Sequence, residues 1–108
     1  MNNLYFSDQF IPAIIEGRKT QTIREIIFCH LDDSVSLFSK RRYIRTVKVN
    51  RIAPVHIDMN SVSVNHCKLT GKQLSDFVTN EGFNSLDDLT SYLNQLYPLP
   101  FKGFAIYW

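Results

Sequence analysis

Tyr43-Ile44-Arg45-Thr46-Val47-Lys48-Val49 decides the fold class. β-Branched and aromatic residues dominate it, and they alternate in part with charged ones. That is the composition of a long strand with a solvated side. The stretches on either side read alike. Val35 to Phe38 is strand-like, and Val55-His56-Ile57 and Val62-Ser63-Val64 are two short strands that follow a break at Pro54. Several strands with few helices to cross between them argue against a doubly wound parallel sheet and for antiparallel neighbours.

Outward from this block, the N-terminal side opens with a short strand at Leu4-Tyr5-Phe6. Ser7 or Asp8 then offers an N-cap. Phe10, Ile11, Ile14 and Ile15 fall on one helical face, Pro12 confines that helix to a short one, and Gly17 is its C-cap. Glu25 to His30 reads as a further strand, followed by a turn at Asp32-Asp33-Ser34. On the C-terminal side, Thr70-Gly71-Lys72-Gln73 has the form of a capping box, with Leu74, Phe77 and Val78 as the apolar stripe and Gly82 as the stop. Ser85-Leu86-Asp87-Asp88 starts another helix with acids in its first turn. Leu86, Leu89, Leu93 and Leu96 repeat at helical spacing, and Pro98 ends it. Gly103 to Trp108 is a closing strand. The order is β, α, several β, α, α, β, which makes the chain α+β: a small, mostly antiparallel β-barrel with two to three peripheral helices.

The 108 residues, 44% of them hydrophobic, suit one domain over 1–108. The formal net charge of +2 neither demands nor excludes a nucleic-acid partner. Its distribution says more: Lys40, Arg41, Arg42, Arg45, Lys48 and Arg51 form a basic run, while the acids lie elsewhere. Met1-Asn2-Asn3 has the form of no secretory leader. No apolar run approaches the ~20 residues of a membrane span, so no membrane partner is expected. Cys29 and Cys67 do not imply a disulfide framework, and a reducing, cytoplasmic setting is expected. Cys29-His30 and His66-Cys67 are zinc-type residues. Adjacent strand residues point to opposite faces, however, so no metal is expected at either pair. No glycine-rich phosphate loop is present, and no cofactor is implied.

The stretch richest in chemistry is Gly17-Arg18-Lys19-Thr20-Gln21-Thr22-Ile23-Arg24. It sets a lysine and a threonine three residues apart, so both can act on one bound group. A threonine hydroxyl is inert until a base withdraws its proton. A lysine can serve if burial or neighbouring cations lower its pKa, and Arg18 and Arg24 push that way. Each residue also has a plain alternative: Lys19 as a surface cation, Thr22 as a strand hydroxyl bonded to backbone, Arg24 as a phosphate ligand or a brace. Thr20 and Gln21 read as structural or exposed.

Phe10, Ile14, Gly17-Arg18-Lys19-Thr20 and Thr22-Ile23-Arg24 together resemble the ASCH domain signature, closest to the small single-domain bacterial branch related to N4-acetylcytidine amidohydrolase. The likeness continues at Leu69-Thr70, at Asn80-Glu81-Gly82-Phe83 followed by Ser85, and through Gln95-Leu96-Tyr97-Pro98 into the last aromatic strand. It departs at Asp33-Ser34, where many members carry Gly-Asp. The resemblance implies a barrel similar to the PUA RNA-binding fold. It also implies hydrolysis of an N-acetyl amide by Lys19 as base, Thr22 as nucleophile and Glu81 as orienter and proton relay. Glu81 is otherwise an ordinary residue at the end of a helix. Arg18 and Arg24 are the implied tuning or anchoring charges. Of the aromatic residues available to stack a nucleobase (Tyr5, Phe6, Tyr43, Phe83 and Tyr107), Tyr43 inside the basic run is the first candidate. The implied partner is a small-molecule modified nucleoside or base, with no cofactor. The alternative is a non-catalytic RNA-binding ASCH module whose motif and basic strand grip phosphates.

Overall fold

A computed structural model of the chain describes residues 2–108, as three helices' worth of cover on two sheets. Strands β1 (Asn2–Phe6), β3 (Ser34–Ser39) and β4 (Arg42–Lys48) form one sheet in the order β1-β3-β4. Strands β2 (Gln21–Arg24), β5 (Arg51–Ile57), β6 (Val62–Val64), β7 (Cys67–Lys68) and β8 (Phe101–Tyr107) form the other in the order β2-β8-β5-β6-β7. Every pairing is antiparallel except β1 with β3. That parallel pair has the long crossover it requires: a 3-10 turn at Asp8–Phe10, helix α1 (Ile11–Ile15) and β2 all lie between its strands. The fold is α+β, as the sequence predicts. The strands do not close into the expected barrel, because they pair as two separate sheets.

Helices α2 (Gly71–Glu81) and α3 (Leu86–Leu96) cover the larger sheet. Phe77, Val78, Leu89 and Leu93 pack on Ala53, Val55, Ile57, Val62, Val64, Phe101 and Ala105 to make one core. A second core joins Leu4, Phe6, Phe10 and Ile14 to Val35, Leu37, Val47, Val49 and Ile106. Phe83 packs against both, so it marks the seam between them.

Several local expectations change for identifiable reasons. Glu25 to His30 forms no strand: Ile26 and Phe28 are exposed, and only Cys29 is buried in the core. Pro54 does not interrupt β5. It pairs with Phe104 of β8, and its carbonyl, which accepts from the Asn65 amide, points to the other side. Its missing donor therefore faces away from the β8 ladder, and the strand runs through. The Thr70 side chain makes no capping bond, and Gln73 donates its amide to the Thr70 carbonyl instead. Ser85 does cap α3, accepting the Asp88 amide at 3.1 Å. No helix among the described residues is long and apolar enough to cross a membrane.

Candidate active site

The C-terminus of α2 and the approach to β2 meet at the seam. Helix α1 ends in a tight exit: Gly17 takes φ +79 and donates to the Ile14 carbonyl, and the Arg18 and Lys19 amides both return to the Ala13 carbonyl. This exit turns Lys19 inward and delivers the chain to β2. The Thr20 amide then bonds to the Asn80 carbonyl at 2.9 Å, which ties β2 to the last turn of α2. β2 itself has a single sheet partner, β8. Its short register puts Thr22 opposite Ile106 and Arg24 opposite Phe104.

The resulting centre is a buried ion pair. Lys19 is 1% exposed, and its Nζ stands 3.1 Å from Glu81 Oε2 and 2.5 Å from the Glu81 main-chain oxygen. That main-chain oxygen is one of the carbonyls a helix end leaves without an intrahelical donor, and α2 has no basic residue of its own in its last turn. Lys19 therefore supplies the cation that favours the negative end of α2. Its ammonium also lies 4.7 Å from the centre of the Phe10 ring and 5.6 Å from that of Phe6. The other carboxylate oxygen, Oε1, accepts from Gln21 Nε2 at 3.1 Å. Burial depresses the Lys19 pKa below the ordinary lysine range. Glu81 opposes that shift, and the charge of Arg24 adds to it.

Thr22 lies on the same cavity, 4% exposed. Its Oγ1 accepts from Arg24 Nε at 3.1 Å. A guanidinium only donates, so this contact leaves the Thr22 proton free to be given elsewhere. Arg24 is itself anchored: Nη2 donates to the Tyr5 carbonyl at 2.9 Å, and its guanidinium carbon lies 5.0 Å from the Phe6 ring centre. It braces Thr22 between the two sheets.

Lys19, Thr22, Arg24 and Glu81 all line one cavity of about 220 Å³. Its walls are Phe6, Phe10, Phe83, Tyr92 and Tyr97 with leucines of α3. Phe10, Phe83 and Tyr92 pack as a three-ring cluster with centroids 5.4 to 5.5 Å apart. The volume lies below the ~300–1,000 Å³ of drug-sized pockets, so the cavity admits a group the size of one base. A larger open groove of about 600 Å³ runs over the outer face of the five-stranded sheet by Pro54, His56, Lys102 and Phe104, and it shares no residue with this cavity.

The structure thus gathers Lys19, Thr22, Glu81 and Arg24, and leaves two candidates outside. Arg18 pairs with Glu16 at 3.1 Å in solvent. Tyr43 sits on β4, its hydroxyl 2.9 Å from Thr46 Oγ1, and does not reach the cavity. Gln21 is the residue that sequence reasoning missed. It is fully buried and holds Glu81, so of the two readings its sequence left open, structural or exposed, the structural one holds, and no role at the site was expected of it. The one signal was its place between Lys19 and Thr22. No group of three His, Cys, Asp or Glu side chains that could hold a metal exists among the described residues.

No protein-family profile matches the chain, and no curated protein or solved structure matches it significantly.

Proposed function

We propose that the chain is an amidohydrolase that removes the acetyl group from N4-acetylcytidine, or from a related acylated nucleoside or base, in the cytoplasm. The proposal takes the fold as PUA-like, with its barrel opened into two sheets, and it follows the resemblance to the ASCH domains. The observation that carries it is the buried Lys19–Glu81 pair beside a threonine whose oxygen is held by Arg24, inside an aromatic cavity of base size.

The chemistry fits these groups. A proton passed from Lys19 Nζ to Glu81 Oε2, across 3.1 Å, turns a buried ion pair into a neutral amine and a carboxylic acid. The amine accepts the Thr22 proton as Oγ1 attacks the acetyl carbonyl, and the Arg24 cation steadies the charge that develops on the oxygen. The C–N bond breaks as the exocyclic nitrogen takes a proton back from the pair. Cytidine leaves, and the acetyl group remains on Thr22. Water then gives a proton to Lys19 as its oxygen attacks the ester carbonyl; the ester C–O bond breaks, Thr22 Oγ1 takes a proton back from the pair, and acetate leaves. The phenylalanine and tyrosine walls hold the base by stacking and exclude bulk water.

Incubation with N4-acetylcytidine, followed by chromatography for cytidine and acetate, tests this directly. Product from the native chain and none from Lys19→Met is the expected result. No cytidine at high protein concentration would sink the enzyme reading and leave the non-catalytic RNA-binding module in its place.

A further inference from the structure

The outer face of the three-stranded sheet carries a row of rings that ends at the cavity. Register pairs Tyr5 of β1 with Phe38 of β3, and Phe38 with Tyr43 of β4, so the three side chains share one face across the strands. Tyr5 stacks on Phe38 with centroids 5.6 Å apart, and Phe38 meets Tyr43 at 5.8 Å. The two outer rings are open, with Tyr5 55% and Tyr43 56% exposed. A solvated strand face has no need of three aromatic rings, and exposed rings in a line are costly unless something covers them. Tyr5 also lines the cavity, and its carbonyl receives Arg24.

Charge says what covers them. β4 is the edge strand of this sheet, and the hairpin that leads into it is Lys40-Arg41. Lys40, Arg41, Arg42 and Arg45 are all exposed there. Among the described residues, the one carboxylate paired with them is Asp8, which meets Lys40 at 3.2 Å. An edge rich in cations beside a row of stacking rings is the pattern that holds single-stranded nucleic acid, with phosphates on the charges and bases on the rings. An apolar protein partner would leave those cations unmatched.

We propose that this face binds a single-stranded polynucleotide, and that the acylated base reaches the cavity as part of that strand, past Tyr5. This rests on the amidohydrolase reading for the base that enters the cavity. Strand binding itself stands apart from it.

The test is fluorescence anisotropy of a labelled cytosine decamer, as RNA and as DNA, with the native chain, since an unacylated strand offers nothing to hydrolyse. Binding of either sugar form, weakening steeply with salt, is expected. Tyr43→Ala should weaken it by at least about fivefold, the lower bound for loss of one stacked base, and Arg41→Ala should flatten the salt dependence. Circular dichroism confirms that each variant is folded. Equal affinity for duplex, no loss in Tyr43→Ala, or no single-strand binding at low salt would overturn the proposal. So would a dimer that Tyr43→Ala dissociates in a chain that ignores the oligonucleotide, which assigns the face to a second copy. Failure of binding with N4-acetylcytidine still hydrolysed removes this inference alone. Binding with no hydrolysis removes the enzyme reading alone.

Discussion

Lys19 is held by Glu81 twice over, through the carboxylate at 3.1 Å and through the main-chain oxygen at 2.5 Å. One contact is an ion pair and the other caps a helix. Removing either partner therefore leaves a charge without its counterpart in a dry interior. Lys19→Met and Glu81→Gln should each destabilise the fold by about 3–5 kcal/mol. The double variant should recover much of that loss, because no lone charge remains. Urea midpoints for the four chains give the cycle. Additive losses would show the pair to be uncoupled.

The pH dependence follows from the lowered Lys19 pKa. A base must be neutral to accept a proton, so kcat/KM should rise with pH and level off below the ordinary lysine value of ~10.4. Stability moves in the same direction. The folded state gives up the Lys19 proton at a lower pH than the unfolded chain does. Between those two values the unfolded chain holds more protons, so stability climbs as pH rises through that window. Below it, the burial cost of the charged lysine is felt in full. Chemical denaturation from pH 7 to 10 should show a rise in the native chain that the Lys19→Met/Glu81→Gln chain lacks.

Thr22 and Arg24 are separable by substitution. Thr22→Ser keeps the oxygen that Arg24 holds and should keep most of the activity. Thr22→Val removes it and should lower kcat by roughly a hundredfold or more. Arg24→Ala should leave the hydroxyl but lose its brace on the Tyr5 carbonyl, lowering kcat more than it raises KM. A Thr22→Val chain as active as the native one rules out the covalent route.

Gln21 offers a quieter test. Its bond fixes Oε1 of Glu81, and a hydrogen bond to a charged group is worth about 1.5–3 kcal/mol. Gln21→Leu should cost stability on that scale and shift the basic limb of the rate profile, since the carboxylate can then turn away from Lys19. A purely structural role would lower stability and leave the profile in place.

Gly82 closes α2 with φ +100, and a Cβ there would stand 3.2 Å from Phe10 Cδ1 and 3.3 Å from Lys19 Cδ. Gly82→Ala combines a left-handed backbone strain of ~1–2 kcal/mol with pressure on the Lys19 side chain. A drop in melting temperature together with a drop in kcat is expected, read by differential scanning fluorimetry and product chromatography.

Parts of this were legible in the chain and parts were not, for physical reasons. β4, β6, α2 and α3 announce themselves, because alternation, helical spacing and stop residues are local signals. The irregular segment from Glu25 to His30 misleads, because a short apolar run reads as a strand while its Ile26 and Phe28 in fact face solvent. The strand through Pro54 is hidden because only pairing on both sides of β5 shows which side lacks a donor. The parallel pairing of β1 with β3 is a long-range choice that no window reveals. At the site, Lys19 and Thr22 are close in sequence and stand out as a pair. Glu81 and Gln21 become neighbours only through the Thr20–Asn80 backbone bond, which carries no sequence mark of its own.

One feature of the larger sheet governs how the chain comes to be folded at all. β8 lies between β2 and β5, so it is the strand that unites them, and it leaves the ribosome after both. Until residues 101–107 emerge, β2 has no partner and β5 shows a bare edge. Nascent chains halted before Phe101 therefore carry an unpaired β2 and an open edge of β5. For such a protein the interval before β8 is the period of greatest exposure to aggregation and to chaperones, and a stop codon before Phe101 does more harm than many substitutions upstream.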